Sequence, residues 1–309
     1  MAFNKITGFL SLVALGGCIA TTFPYMRAET AQRIAAPAWM IKRDISAQPF
    51  ALRAYERIHD RGGVANIYIE GDGAEYTSPE EWEGNPTPKN PIALHLASKD
   101  NAQNVIYIAR PCQYTEMLSS TETCDKKYWK DSRYSSEVIG AYTNALDEIA
   151  TRYDIGAFHL IGYSGGAAIA TLLSAERGDI LSLRTVSGIL DPAAQRNLLN
   201  LSELTNSLNP TDEALNLTKI PQYHFIGGQD AIVPPAVTHS YLQSIPPTNC
   251  VQTMVVQEAG YEDGWVNKWP ELLSLPVKCY GEKPAMMFEE VTPPAPMPLF
   301  TTREKPAKP

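Results

Sequence analysis

The residues around Ser164 have the types and the spacing that a nucleophilic serine requires. An apolar run that starts at Phe158 leads into Gly-x-Ser-x-Gly at residues 162–166, and alanines at helical spacing follow at once. A strand, a sharp turn and a helix in this order hold a serine hydroxyl clear of the sheet, where it can attack an acyl carbon. The amide of Gly165 would then lie at a helix N-terminus and donate to a developing oxyanion. A glycine-rich turn with an incidental serine is the alternative, and the flanking pattern favours the nucleophile.

With these flanks the segment resembles the nucleophile elbow of the α/β-hydrolase superfamily. The resemblance implies an acid and then a histidine later in the chain. Asp230 resembles the acid of that family and lies in the run Gly-Gly-Gln-Asp-Ala-Ile-Val-Pro. The alternative is that Asp230 is a solvated aspartate in a turn. Asp191 is the reserve candidate for the acid. The loop after the third predicted strand supplies the second oxyanion amide in this fold, which makes Asp72 the candidate there. A plain tight turn would explain the same Gly-Asp-Gly sequence.

A tyrosine stands where the resemblance predicts the catalytic histidine. The loop after the last predicted strand reads Gly-Tyr-Glu-Asp-Gly-Trp, and Tyr261 takes the expected imidazole position. An unperturbed phenol has a pKa of about 10, so a tyrosine is a poor proton acceptor at neutral pH. Cations nearby would lower that pKa, but only Lys268 is close in sequence, and Glu262 and Asp263 act in the opposite direction.

Another histidine could in principle serve as the base. The sequence favours structural or surface roles for all five, because each lies inside a predicted strand or helix or at the end of an early strand; they are His59, His95, His159, His224 and His239. His239, in the helix predicted after Asp230, is the nearest to a substitute.

The elements that must position these residues follow from the periodicity. Apolar runs predict strands at residues 39–45, 50–58, 64–70, 104–109, 158–163, 180–189, from 222, and at 250–258. Helical patterns lie at residues 92–98, at 133–153, after the serine, and up to 273. Strands that alternate with helices predict a mostly parallel central sheet with helices on both faces. Residues 193–219 exceed an ordinary connection and are interpreted as a small cap insertion.

The N-terminus resembles a bacterial export signal. Residues 1–17 combine Lys5 with a short apolar stretch, and Leu15 to Cys18 resembles a lipobox, so Cys18 would carry a lipid. A plain secretory peptide cleaved nearby is the alternative. We expect a tether over residues 18–36, an α/β-hydrolase domain over 37–280 and a disordered Pro-rich tail over 281–309. The expected location is the periplasm, or the outer membrane through the lipid.

The remaining cysteines agree with an oxidising compartment. Four of them make an even set that favours two disulfides: Cys112, Cys124, Cys250 and Cys279. Proximity in sequence suggests pairing the first two and the last two, although three pairings are open. A zinc site is the rival interpretation, but it lacks a C-x-x-C motif or a closely spaced histidine.

The composition of the chain limits the classes of partner that the protein can bind. The chain of 309 residues has 34 acidic against 26 basic side chains and a net charge of −8, so it lacks the basic surface that nucleic acid requires. No Arg/Lys cluster near the serine in sequence indicates a phosphate substrate, and neither a metal nor an organic cofactor is implied. Two functions remain: an exported serine hydrolase acting on a small ester or acyl substrate, and a catalytically inactive envelope lipoprotein that binds a ligand or partner in the inherited pocket.

Overall fold

The computed structural model describes residues 25–73, 84–114 and 124–281, and these contain one eight-stranded sheet. The strands in chain order are β1 (Ile41–Ala47), β2 (Phe50–Ile58), β3 (Val64–Ile69), β4 (Asn104–Ile108), β5 (Ala157–Tyr163), β6 (Ile180–Val186), β7 (Gln222–Gly227) and β8 (Val251–Val256). The helices are α1 (25–35), α2 (Ile92–Ser98), α3 (Ser136–Tyr153), α4 (Gly165–Glu176), α5 (Pro192–Leu198), α6 (Pro235–Ser244) and α7 (Trp265–Ser274).

The sheet is mostly parallel, as the alternation of strands and helices predicted. Its order is β1-β2-β4-β3-β5-β6-β7-β8; β2 pairs antiparallel with β1 and with β4, and all the other pairs are parallel. The carboxyl ends of β3, β5, β6, β7 and β8 therefore meet at one edge of the sheet. Ligand sites of open α/β sheets lie at this edge.

Helices cover both faces of the sheet. On one face, α3 packs Val138, Tyr142 and Leu146 against the strands, which is the apolar stripe predicted from its helical spacing. Trp265 and Trp269 of α7 are fully buried on the other face, together with residues of α1 and α2. The central strands are thus buried on both sides, as parallel strands usually are.

Three element boundaries differ from the sequence prediction for local backbone reasons. The first strand begins at Ile41, because Trp39 has a positive φ of 59° that ends a short 3-10 turn. β6 ends at Val186, because Ser187 has a φ of 45° that no strand accommodates. Helix α3 begins after Ser135, whose hydroxyl accepts the N–H of Val138 as an N-cap.

The tether predicted for residues 18–36 is wrong for residues 25–35. These form helix α1, and Ala28, Ala31 and Ala35 are buried against the same core as α2 and α7. Alanines at spacings of three and four give a helix a narrow apolar face with little hydropathy, which is why the pattern resembled a linker. The predicted signal peptide, Cys18 and residues 282–309 of the predicted tail lie outside the described residues.

Residues 193–219, which were interpreted as a cap, begin inside α5 and then contact the segment before α3. The backbone N–H of Leu208 donates to the carbonyl of Tyr134, and Ser207 donates to the carbonyl of Asp131. Disulfides join Cys112 to Cys124 and Cys250 to Cys279, the pairing that sequence proximity suggested. Within the described ranges, no helix has the length and apolar character to cross a bilayer.

Candidate active site

Ser164 lies at a strained corner between β5 and α4. Its φ of 51° and ψ of −121° are unusual for a residue with a side chain, and such strain is commonly stored at functional sites. A Cβ on Gly162 would collide with the backbone of Ala167, and one on Gly166 would collide with the carbonyls of Ile69 and Glu70. Glycine on both sides of the serine is therefore a steric requirement of this corner.

The hydroxyl of Ser164 is hydrogen-bonded to the phenol of Tyr261 at 2.7 Å, and either oxygen can be the donor. Tyr261 is held by its neighbours: its carbonyl accepts the hydroxyl of Tyr163 at 2.9 Å and the indole N–H of Trp265 at 3.2 Å. The rings of Tyr163 and Tyr261 are 5.5 Å apart. The structure thus brings together the serine and the tyrosine at which the resemblance expected a histidine.

All five histidines lie in described parts of the chain, and none hydrogen-bonds to Ser164. His159 bonds to Ser182 at 2.7 Å. His224 bonds to Thr185 at 2.8 Å, and burial lowers its pKa to about 3. His239 bonds to Gln243 on the exposed side of α6 and is not a substitute base.

Lys268, which is close to Tyr261 in sequence, is paired with a carboxylate. Lys268 forms an ion pair with Glu258. Glu262 is half-buried, which raises its pKa, and it accepts a hydrogen bond from the amide of Asn90. Neither contact supplies positive charge to the phenol.

Asp230 is buried at the carboxyl end of β7. Its Oδ1 accepts the backbone N–H groups of Ile232 at 2.8 Å and Val233 at 2.7 Å, while its Oδ2 has no hydrogen-bond partner among the described residues. Burial raises the pKa of Asp230 despite these hydrogen bonds. The loops that carry Asp230 and Tyr261 touch, because a Cβ on Gly227 would lie 2.9 Å from the Cβ of Asp230 and 3.0 Å from the carbonyl oxygen of Gly260.

Asp191, the reserve acid, has a structural role. Its carboxylate caps α5 by accepting the N–H of Ala194, and it also accepts the amide of Asn209 and the hydroxyl of Ser240. These hydrogen bonds connect α5 to α6 through the carboxylate.

The two candidate oxyanion residues lie on either side of the corner. Gly165 is the first residue of α4. The loop after β3 passes directly over the serine, since a Cβ on Gly71 would lie 3.1 Å from the Cβ of Ser164. Asp72 follows in that loop, and its carboxylate is packed against the Cα of Gly165.

Sequence reasoning missed the charged residues behind this loop. Arg110 and Arg133 both form ion pairs with Asp72, so the structure corrects the impression that no Arg/Lys cluster lies near the serine. Burial alone would raise the pKa of Asp72, but the two guanidinium groups outweigh it and hold the pKa below its ordinary value. The available signal was Arg110 itself, an arginine two residues after a strand that is buried at every position.

Glu70 is a second missed carboxyl group. It directly follows β3, is 1% exposed, and accepts the N–H groups of Gly71 at 2.9 Å and Ala93 at 3.4 Å. Burial raises the pKa of Glu70 to about 7. Among the described residues, no group of three His, Cys, Asp or Glu side chains is arranged to hold a metal ion.

Comparisons with known proteins assign the fold. No protein-family model and no curated protein matches the chain. Among solved structures, Est1E from Butyrivibrio proteoclasticus superposes with a TM-score of 0.52 at 14% identity, over 75% of this chain and 95% of that one. An esterase from Pyrococcus furiosus gives a TM-score of 0.52 at 13% identity, over 76% and 89%. A bacterial membrane phospholipase A gives 0.50 at 13% identity, over 86% and 95%. The protein therefore has the α/β-hydrolase fold, and at these identities the likeness extends to the fold alone.

Proposed function

We propose that Ser164 is the nucleophile of an ester- or acyl-hydrolase site, and that turnover there is weak because Tyr261 takes the position of the base. The observation that carries this proposal is the 2.7 Å hydrogen bond between the two hydroxyl groups at a strained strand-to-helix corner. The corner presents the nucleophile, and the tyrosine reaches it without offering a strong proton acceptor.

The roles of the other residues follow from their places around the corner. The amides of Gly165 and Asp72 are the proposed oxyanion donors, and Asp230 is the acid that would orient a base. Serine-hydrolase sites that lose a triad member retain roughly 10³–10⁴-fold catalysis over water from the oxyanion hole and substrate binding. Activity of that order is what we propose for this protein.

The proposed substrate is a small carboxylic ester with an apolar acyl group. Ile189, Val233 and Val237 form a buried apolar cluster against which Tyr261 packs, so the surroundings of the serine suit a hydrocarbon. The Pyrococcus furiosus neighbour is an esterase, and Est1E has been solved with ferulic acid bound. The segment 193–219 would cover this region as a small cap.

A serine-reactive fluorophosphonate tests the proposal directly. The purified protein should be labelled slowly, and labelling should disappear in Ser164→Ala. Hydrolysis of a p-nitrophenyl ester should show the same dependence on Ser164. Labelling that persists in Ser164→Ala, or failure of the probe to label both the wild-type protein and Tyr261→His, would contradict the proposal.

A second candidate is a non-catalytic envelope protein that uses the fold to bind a ligand or partner. It is favoured by the state of the nucleophile, because Ser164 is fully buried and its hydroxyl is already hydrogen-bonded to Tyr261. This candidate replaces the first if neither the wild-type protein nor a Tyr261→His variant reacts with the probe at Ser164.

We also propose that the protein is exported and anchored to a membrane by a lipid on Cys18. The two disulfides support an oxidising compartment. Metabolic labelling with a palmitate analogue in a bacterial host should mark the protein and fail to mark Cys18→Ser. Recovery of unlabelled wild-type protein from the periplasm would favour a plain secretory peptide.

A further inference from the structure

The carboxylate of Asp72 is the centre of a buried polar cluster behind the serine. Its Oδ1 accepts Nη1 of Arg110 at 2.5 Å, and its Oδ2 accepts the hydroxyl of Tyr134 at 2.6 Å and Nη1 of Arg133 at 3.4 Å. Nη2 of Arg110 donates to the carbonyl of Arg133 at 2.6 Å, which ties the two arginine segments together. All four side chains are at least nine-tenths buried.

A cluster of this kind is poorly explained as a stabilising device. Charges lose their hydration on burial, and replacing a buried ion pair with apolar side chains is often neutral or stabilising. What such a cluster does well is to fix a geometry, because a planar guanidinium and a carboxylate bind in few orientations. Its position in the molecule is therefore the informative feature.

The Asp72 carboxylate packs against Gly165, the first residue of α4. The carboxyl group of Asp72 occupies the space that a Cβ on Gly165 would fill. One residue earlier, a Cβ on Gly71 would lie 3.0 Å from the ring of Tyr163 and 3.1 Å from the Cβ of Ser164. The loop after β3 is thus pressed onto the nucleophile corner at two consecutive residues.

The side chain of Gln113 also holds the loop after β3. The amide of Gln113 donates to the carbonyl of Gly71 at 3.0 Å, and its Oε1 accepts the backbone N–H of Arg110 at 3.0 Å. Gln113 follows Cys112, which is joined to Cys124 by a disulfide. Three segments that are distant in sequence, around residues 110, 133 and 164, therefore fix one short loop.

We propose that Asp72, Arg110, Arg133 and Tyr134 are positioning residues for acyl transfer at Ser164: their cluster holds the loop after β3 so that its backbone can meet the acyl oxygen together with the amide of Gly165. This inference rests on the proposed function. The arginines have a second effect, since they neutralise a carboxylate that would otherwise oppose negative charge developing beside Gly165.

The test uses the Tyr261→His protein as parent, because its reaction with the fluorophosphonate should be fast enough to measure losses. Arg110→Met should lower the second-order labelling rate about 10²-fold, the size of effect expected when a reacting group is misplaced by about 1 Å or an oxyanion donor is lost. Arg110→Lys keeps the charge and should recover part of this loss. Tyr134→Phe removes one hydroxyl and should lower the rate about 10-fold in a protein that still folds.

Matched controls separate positioning from general destabilisation. Arg53→Met removes another buried arginine, one that pairs with the partly exposed Asp44. Tyr241→Phe removes another buried tyrosine hydroxyl, the one bonded to Gln222. Both should lower the melting temperature and leave the labelling rate within about 2-fold of the parent.

The outcomes distinguish this inference from the proposed function. If the parent is labelled at Ser164 and Tyr134→Phe and Arg110→Met react as fast as it does, the inference falls and the proposed function stands. Equal losses in Tyr134→Phe and Tyr241→Phe would also overturn the inference, because the effect would then follow stability. If neither the wild-type protein nor the parent is labelled, the proposed function falls, and the inference falls with it since there is no nucleophile to serve.

Discussion

The phenolic oxygen of Tyr261 lies 2.7 Å from the hydroxyl oxygen of Ser164, so the tyrosine at the position where the sequence predicted a histidine reaches the serine. Serine and tyrosine hydroxyl groups with unperturbed pKa values are weak proton acceptors at neutral pH. In the proposed hydrolase site, Ser164 is therefore paired with a weak base, and this is the basis of the low activity that we propose.

Tyr261→His should restore the missing proton acceptor. General base catalysis typically contributes 10²–10⁴-fold, so we expect hydrolysis of a p-nitrophenyl ester to rise by at least 10². Tyr261→Phe, which removes the phenol without supplying a base, should give less than a 10-fold change. If the wild-type protein already turns over rapidly and Tyr261→His does not improve it, the tyrosine does not occupy the base position.

Asp230, and not Asp191, should support the new base. In the Tyr261→His protein, Asp230→Asn should lower the rate of ester hydrolysis at least 10-fold, because the imidazole would lose the carboxylate that orients it. Asp191→Ala should leave the rate within about 2-fold and lower stability by about 1 kcal/mol through the lost cap of α5. The reverse pattern would reassign the acid.

Gly165→Ala should be harmful for a steric reason. The new methyl group would collide with the Asp72 carboxylate, and overpacking of this kind costs about 1–3 kcal/mol. Gly140→Ala is the matched control: residue 140 is exposed on α3 and a Cβ there meets nothing within 4 Å. That substitution should stabilise the protein by up to about 1 kcal/mol in urea unfolding. Equal stability of the two variants would contradict the close contact between Asp72 and Gly165.

Glu70 should make stability depend on pH. Burial raises its pKa from 4.5 to about 7, so the folded state favours the protonated acid. Protonated Glu70 therefore stabilises the folded state. Its contribution to the free energy of unfolding is complete below pH 4.5 and is lost as the pH rises towards 7, a change of roughly 3 kcal/mol. The stability of Glu70→Gln relative to the wild-type protein should therefore increase between pH 4.5 and 7.5. His224 titrates in the opposite sense at acid pH but is common to both proteins, so it cancels in the difference. Parallel pH profiles would show that Glu70 ionises normally.

Local patterns carried most of what the sequence could predict. The strand over Phe50–Ile58 and the helix over Ile92–Ser98 were predicted with the bounds that they have, because each has a clear run of apolar residues. The spacing around Ser164 and the departure at Tyr261 are likewise visible within a few residues. The cluster at Asp72 was not predictable in this way, since its ion pairs join residues 38 and 61 positions apart in the chain.

The shared space of Asp72 and Gly165 ties two distant positions of the chain together. Any substitution that adds a side chain at residue 165 must be accompanied by a smaller residue at 72, and then Arg110 and Arg133 lose the anion between them. Four positions are therefore expected to vary as a group in descendants of this sequence. Collections of natural variants can reveal such joint replacement without any measurement of activity.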